Sequence, residues 1–367
     1  MRPEAALGAT EATAAREPPS ESQRGGGASK GPGYGRLKWL VRWEGALIIA
    51  LIATIALGAV TSPEFLTVSN IFSNVSLLYG ELAIMTLPMT LLILAGEIDL
   101  SIASILALSS SLLGYLWAHH WPMPLIIVCV LAVGVVCGAF NGLLVTRLGL
   151  PSLAVTIGTK TLYAGIAEIV LGPAIITNFP SRYTTIGVNP VPYTHGLLSY
   201  SGVIFIVLAA VFGTVLHATP FGRSVVAVGW NKEAAQFAGI RVKRVKTSLF
   251  MVSGLIGALA GILYTFRLST AEADNGIDLV LPVIAVVLLG GVSIFGGRGT
   301  LIGVILAVLV YCGLQSALLL TNFNANALEI VTGGLLLLSV LIPNGGELMA
   351  RVRRFYRLRS PVWQERR

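Results

Sequence analysis

Residues 219–246 read TPFGRSVVAVGWNKEAAQFAGIRVKRVK and hold six basic side chains, Arg223, Lys232, Arg241, Lys243, Arg244 and Lys246. The flanking segments 201–218 and 247–266 contain no Asp, Glu, Lys or Arg. Each is close to the ~20 apolar residues that cross a bilayer. The stretch is therefore a polar connection between two membrane spans, and the fold follows from extending this pattern along the chain.

Apolar segments recur at 45–62, 74–96, 101–118, 123–146, 152–172, 201–218, 247–266, 279–295, 299–320 and 327–343. These predict an all-α polytopic membrane protein of ten helices. Composition agrees: of 367 residues, 55% are hydrophobic and 11% charged, against roughly 25% charged in soluble domains, and mean hydropathy is +0.81. A water-soluble enzyme is excluded. Before the spans, residues 1–44 read as a disordered tail; residues 45–345 form the membrane domain, and 346–367 a basic C-terminal tail.

The surplus of eight positive charges would suggest nucleic acid in a soluble protein, but here it reports orientation, so no nucleic-acid partner is expected. With the N-terminus in the cytoplasm, inner segments receive seven basic residues in the first tail, Arg147, the six of 219–246, Arg298 and seven in the last tail. That is 22 of 25, leaving Arg182 and Arg267 outside and Lys160 within a span. Basic residues collect in cytoplasmic loops, so both termini are expected inside, in a multi-pass membrane protein with the bilayer as its solvent. Cys129, Cys137 and Cys312 all fall in apolar runs and read as free, buried thiols.

Within 219–246, Asn231 is positioned as an N-cap, Lys232 to Phe237 favour helix with Glu233 in the first turn, and Gly239 supplies a stop. Two turns of helix are too short to stand alone in water. A short helix of this kind makes sense when it docks into a partner.

Glu233-Ala234-Ala235 followed by Gly239 resembles the EAA–G coupling motif of ATP-binding-cassette importer permeases, and the wider stretch through Ile240 and Arg241 resembles the ribose-type sugar permease family. Further stretches similar to that family are GEIDLSIAS at 96–104, GAFNGLLV at 138–145, PSLAVTIGT at 151–159, SGLIGALAGILYT at 253–265 and LLGGVSIFGGRGTLIGVILA at 288–307. The resemblance implies a permease subunit that works with a separate ATPase, a second permease, identical or different, and an extracytoplasmic sugar-binding protein. It also implies that Asn231, Glu233, Ala234, Ala235, Gly239, Ile240 and Arg241 form the ATPase-coupling contact. The chain has no GxxxxGK[ST] phosphate loop, so ATP and Mg²⁺ belong to the partner and no cofactor is expected here.

Close helix packing is needed to transmit motion from that contact, and Gly138-xxx-Gly142, Gly257-xxx-Gly261 and Gly299-xxx-Gly303 have the spacing that brings membrane helices together. Ionisable groups inside spans are costly and mark candidate sites. Glu81 and Lys160 lie deepest, either paired with each other or lining a solute route. In the GEIDLS turn, Asp99 or Ser101 either caps the next helix or faces the route. The family often has a small residue where Glu97 stands. A neutral sugar needs hydroxyl, amide and aromatic partners, for which Asn141, Thr156, Thr159 and Tyr163 are candidates. The alternative class is an ion-coupled secondary transporter of a small polar solute, with Glu81 and Lys160 as coupling groups; it leaves the EAA–G loop unexplained. His119, His120, His195 and His217 are scattered, with no catalytic or metal-ligand spacing.

Overall fold

A computed structural model describes residues 33–321 together with 330, 331, 333, 334 and 337. Among these residues every regular element is a helix. In chain order they are α1 (Gly33–Thr61), α2 (Val68–Asn70, continuing as π-helical turns to Leu77), α3 (Gly80–Leu94), α4 (Ile102–Ala118), α5 (Met123–Arg147), α6 (Ser152–Leu171) and α7 (Ser181–Val188). There follow α8 (Tyr200–Ala218), α9 (Pro220–Trp230), α10 (Lys232–Phe237), α11 (Val242–Leu268), α12 (Val280–Leu289, entered by a 3₁₀ turn) and α13 (Leu301–Leu320). A short N-terminal unit ends at Trp39, and the packing below belongs to the main unit from Leu40.

Among the described residues six helices are long and apolar enough to cross a membrane: Trp43–Thr61 of α1, then α5, α6, α8, α11 and α13. A seventh crossing arises if the pair Val68–Leu77 and α3, bent by 44°, counts as one. Ten spans were expected. The segment at 74–96 is broken at Leu78–Tyr79, that at 101–118 forms only the 17-residue α4, that at 279–295 stops at Leu289, and most of 327–343 lies outside the described residues. The tail expected to run to residue 44 is already helical from Gly33, while residues 1–32 and 346–367 are outside the description.

The short helices have a physical reason. All fifteen residues of α3 are buried, wrapped by α8, α11, α12 and α13. A helix whose ends finish inside protein need not reach both lipid interfaces, because protein satisfies its terminal backbone groups. By contrast α5, α6 and α8 turn apolar side chains outward, such as Val136, Ile169 and Val207, as helices facing lipid or another subunit do.

Glycine supplies the closest contacts. A Cβ at Gly138 would overlap the Phe250 carbonyl, and one at Gly254 the Gly134 carbonyl, so α5 and α11 meet backbone to backbone. On another face of α11, Gly257 and Gly261 lie against the Ile102 and Leu106 carbonyls of α4. Gly303 of α13 meets the Gly290 carbonyl after α12. The expected GxxxG packing is present, with Gly134 and Gly254 as unanticipated members.

Candidate functional site

The connection between α8 and α11 folds as two helices. Thr219 caps α9 by accepting from the Gly222 N–H, and Pro220 occupies the first turn, where its missing donor costs nothing. α9 buries Gly222, Val225 and Val228. Asn231 then caps α10, its Oδ1 accepting from the Ala234 N–H at 2.9 Å. The end of α10 is a Schellman turn: Ile240 N–H donates to Ala235 O and Gly239 N–H to Gln236 O, both at 3.0 Å, with Gly239 at φ +84°.

These caps fix which side of α10 is free. Ala235 is buried against Val228 and Val242, with Ile240 packed beside it. It therefore serves the fold and is not on the surface offered to a partner. Glu233, Ala234 and Arg241 are exposed, and Phe237 is 94% exposed at the helix end. This exposed aromatic ring, on a helix seated by its opposite face, was not among the expected site residues.

Next to α10, three chain segments converge on glycines. A Cβ at Gly229 of α9 would overlap the Leu94 carbonyl at the end of α3. The same carbonyl accepts from Gly297 N–H at 2.8 Å. Gly296 and Gly297 both have φ near +80°, and Gly296 lies against Gly96 and Gly229. The Arg298 guanidinium sits 4.7 Å from the Trp230 ring centroid, a cation–π contact. The 293–299 loop thus ties the last residue pair of α9 to the end of the central helix.

Beyond that junction lies a buried polar chain. Asp99 Oδ1 accepts from Ser101 N–H at 3.0 Å and from its hydroxyl at 2.6 Å, while Oδ2 accepts from Ser253 of α11 at 2.7 Å. Asn141 Nδ2 donates to Ser101 Oγ at 2.7 Å. Tyr163 donates to Asn141 Oδ1 at 3.1 Å and to the Cys137 carbonyl at 3.0 Å. Thr156 donates to the Ser152 and Ile98 carbonyls. Ser101 is the N-cap residue of α4, yet its side chain bonds no helix N–H; it joins the network instead of capping. Asp99, Ser101, Asn141 and Tyr163, each expected as a candidate for the solute route, come together, but they spend their hydrogen bonds on each other and hold α4, α5, α6 and α11.

Two ion pairs are present among the described residues. Glu81 meets Arg267 at 3.2 Å and accepts from Ser201 at 3.1 Å. Of the two readings of Glu81 and Lys160, the mutual pair does not form: Glu81 is taken by Arg267, a residue the charge count had assigned to the outer surface, and Lys160 is half-buried on α6. The second pair joins Glu97 to Lys246. Spare hydrogen-bonding capacity lies elsewhere. The buried hydroxyls of Ser104, Ser109 and Ser111 on α4 and of Thr159 on α6 have no protein partner.

Comparison with known proteins decides the family. Residues 71–340 match the model described as the permease component of branched-chain amino acid transport systems. The chain is 34% identical over 300 residues to the ribose import permease protein RbsC of Haemophilus influenzae, covering 81% of this chain and 91% of that one. It is 31% identical over 316 residues to the autoinducer 2 import system permease protein LsrD of Klebsiella pneumoniae, covering 83% and 92%. The LsrD of Escherichia coli K12 is 32% identical, covering 82% and 91%. This chain belongs to the ribose-type sugar permease family of ABC importers. No solved structure matches it.

Knowing the permease family sharpens what the residues missed. Ser253, Arg267 and Phe237 were not among the candidates. Ser253 and Arg267 stand on α11, where a serine within a small-residue run and an arginine at a helix end gave no signal by themselves. Their importance comes from Asp99 and Glu81, which are 18 residues apart in sequence and both meet α11.

Proposed function

We propose that the permease is the membrane subunit through which an ABC importer moves a monosaccharide across the bacterial plasma membrane, driven by ATP hydrolysed on a separate subunit. The observation that carries this reading is α10: a six-residue helix capped at both ends, seated by Ala235, with Glu233, Ala234 and Phe237 exposed. Its inner face is seated by this chain's own packing, its outer face is left free, and a groove in an ATPase is the partner that supplies energy to a chain without a phosphate loop. In this reading the basic end bearing α9 and α10 faces the cytoplasm, both termini lie there, and two permeases form the pore with an external binding protein above.

The solute is a neutral, hydroxyl-rich monosaccharide, of the rhamnose or autoinducer-2 kind. Relatives named for ribose and autoinducer 2 support that class. Among the described residues Ser104, Ser109, Ser111 and Thr159 have hydrogen bonds to offer, matched to a solute that carries no charge. The ion-coupled alternative is weakened because Glu81, its coupling carboxylate, is held by Arg267.

The test is gentle solubilisation of a tagged chain and identification of what copurifies. An ATPase and a sugar-binding protein are expected; their absence, with the complex intact by size, overturns the reading. Gly239→Trp adds a second arm. A bulky residue at φ +84° is strained and spoils the end of α10. Sugar uptake should be lost with the amount of permease in the membrane unchanged, and full uptake would contradict the coupling role.

A further inference from the structure

We infer that α11 is the lever that carries motion from the coupling helix to the centre of the bundle, and that Lys246 and Glu97 are positioning residues forming its joint. The inference rests on the importer reading above.

Only four residues separate α10 from α11, so a displacement of α10 reaches α11 almost directly. α11 then runs for 27 residues, about 40 Å at 1.5 Å per residue. It grips one partner at both ends. Near its start Lys246 pairs with Glu97, just past the end of α3, and near its finish Arg267 pairs with Glu81, in the first turn of α3. Between them Ser253 holds Asp99. All four charges are buried: Lys246 is 9% exposed and Glu97 7%, with Glu81 at 1% and the Arg267 side chain at 9%.

Buried ion pairs contribute little net stability, because stripping water from both charges offsets their attraction. Two such pairs between the same two elements, one near each end, therefore call for another explanation than stability. What they add is fixed geometry. A charge deep in protein must stay with its counter-charge, so the two elements cannot slide past one another unless the pair breaks. Along the remaining length α11 packs closely on α4 and α5, through glycines, through a hydrogen bond between Thr247 and Thr146, and through one that Thr265 donates to Ser110. α11 is thus tied by Lys246 and Arg267 to the two flanks of α3 and moves with the helices beside it.

The decisive variant neutralises the joint while keeping it filled: Glu97→Gln with Lys246→Met in the same chain. Neutral replacement of a buried pair is tolerated, so the purified complex should retain its bound ATPase and its melting temperature. Sugar taken up per ATP hydrolysed in proteoliposomes should fall by about tenfold, the scale of a coupling between distant sites. The charge-swapped double, Glu97→Lys with Lys246→Glu, should recover most of that loss, because the swapped pair is again a fixed link. Wild-type transport per ATP in the neutral double overturns the lever, as does a swapped double that holds its ATPase and stays uncoupled. If the wild-type chain binds no ATPase, the importer reading itself has failed, which is a separate outcome.

Discussion

At the scale of single residues, the buried network separates groups that hold the fold from groups left free to meet a solute. Asp99 has both oxygens engaged, so Ser253→Ala strands a buried acceptor and should destabilise the protein by about 1–3 kcal/mol, measured as denaturant or thermal stability in detergent. Ser104 has no hydrogen bond to lose. Ser104→Ala removes a buried unpaired hydroxyl and should leave stability unchanged or raise it by about 1 kcal/mol, while weakening uptake kinetics where the α4 hydroxyls meet the sugar. The reverse pattern, with Ser104 costly and Ser253 silent, would dismantle this assignment. Sequence reading found Asp99, Ser101, Asn141 and Tyr163 because polar groups in apolar runs are conspicuous. It did not find that they satisfy one another, since hydrogen-bond pairing across four helices is a property of register and rotation that no local pattern encodes.

At the scale of elements, the two classes of glycine make opposite predictions. Gly138→Ala drives a methyl group into the Phe250 carbonyl on α11 and should cost about 1–3 kcal/mol, as overpacking does. Gly158→Ala on α6 meets nothing within 4 Å and should be neutral or stabilise by up to about 1 kcal/mol, from helix propensity alone. Side-by-side melting of the two variants checks both. The α10 helix was legible to the residue: Asn231 as cap, Glu233 in the first turn and Gly239 as stop all appear in the structure. α9 was not, although Thr219 and Pro220 formed a start signal, because its apolar face, Gly222, Val225 and Val228, is brief and followed at once by the more conspicuous EAA motif. The break between α2 and α3 was missed for another reason. The largely apolar stretch 74–96 reads as one helix, but the chain breaks at Leu78–Tyr79, next to Gly80, which lies against Ser201 of α8.

At the scale of the whole molecule, side-chain contacts gather distant segments at two places, which the positive-inside count expects on opposite faces of the membrane. Trp43 Nε1 donates to the Leu289 carbonyl and Glu44 accepts from Thr300, so the start of the first span meets the chain between α12 and α13, in the region of Gly229 and Leu94. Ser76 bonds Ser199, and Trp117 Nε1 donates to the Asn178 carbonyl, on segments that the charge count assigns to the other side. Cysteine labelling checks the sidedness. In a background without Cys129, Cys137 and Cys312, Tyr193→Cys, at a fully exposed position, should react with a membrane-impermeant maleimide added to intact spheroplasts. Phe237→Cys should react only after permeabilisation. Equal labelling of both from outside would reverse the topology.

The glycine junction has a consequence for anyone building hybrid transporters. Gly229 and Trp230 are held by the Leu94 carbonyl and by Gly296, Gly297 and Arg298, so the segment 219–241 is not a free-standing cassette. Grafted alone into another permease, it would arrive without its socket. Partner choice should transfer only when residues 293–299 and the end of α3 travel with it, which makes these three stretches, distant in sequence, a single unit of exchange.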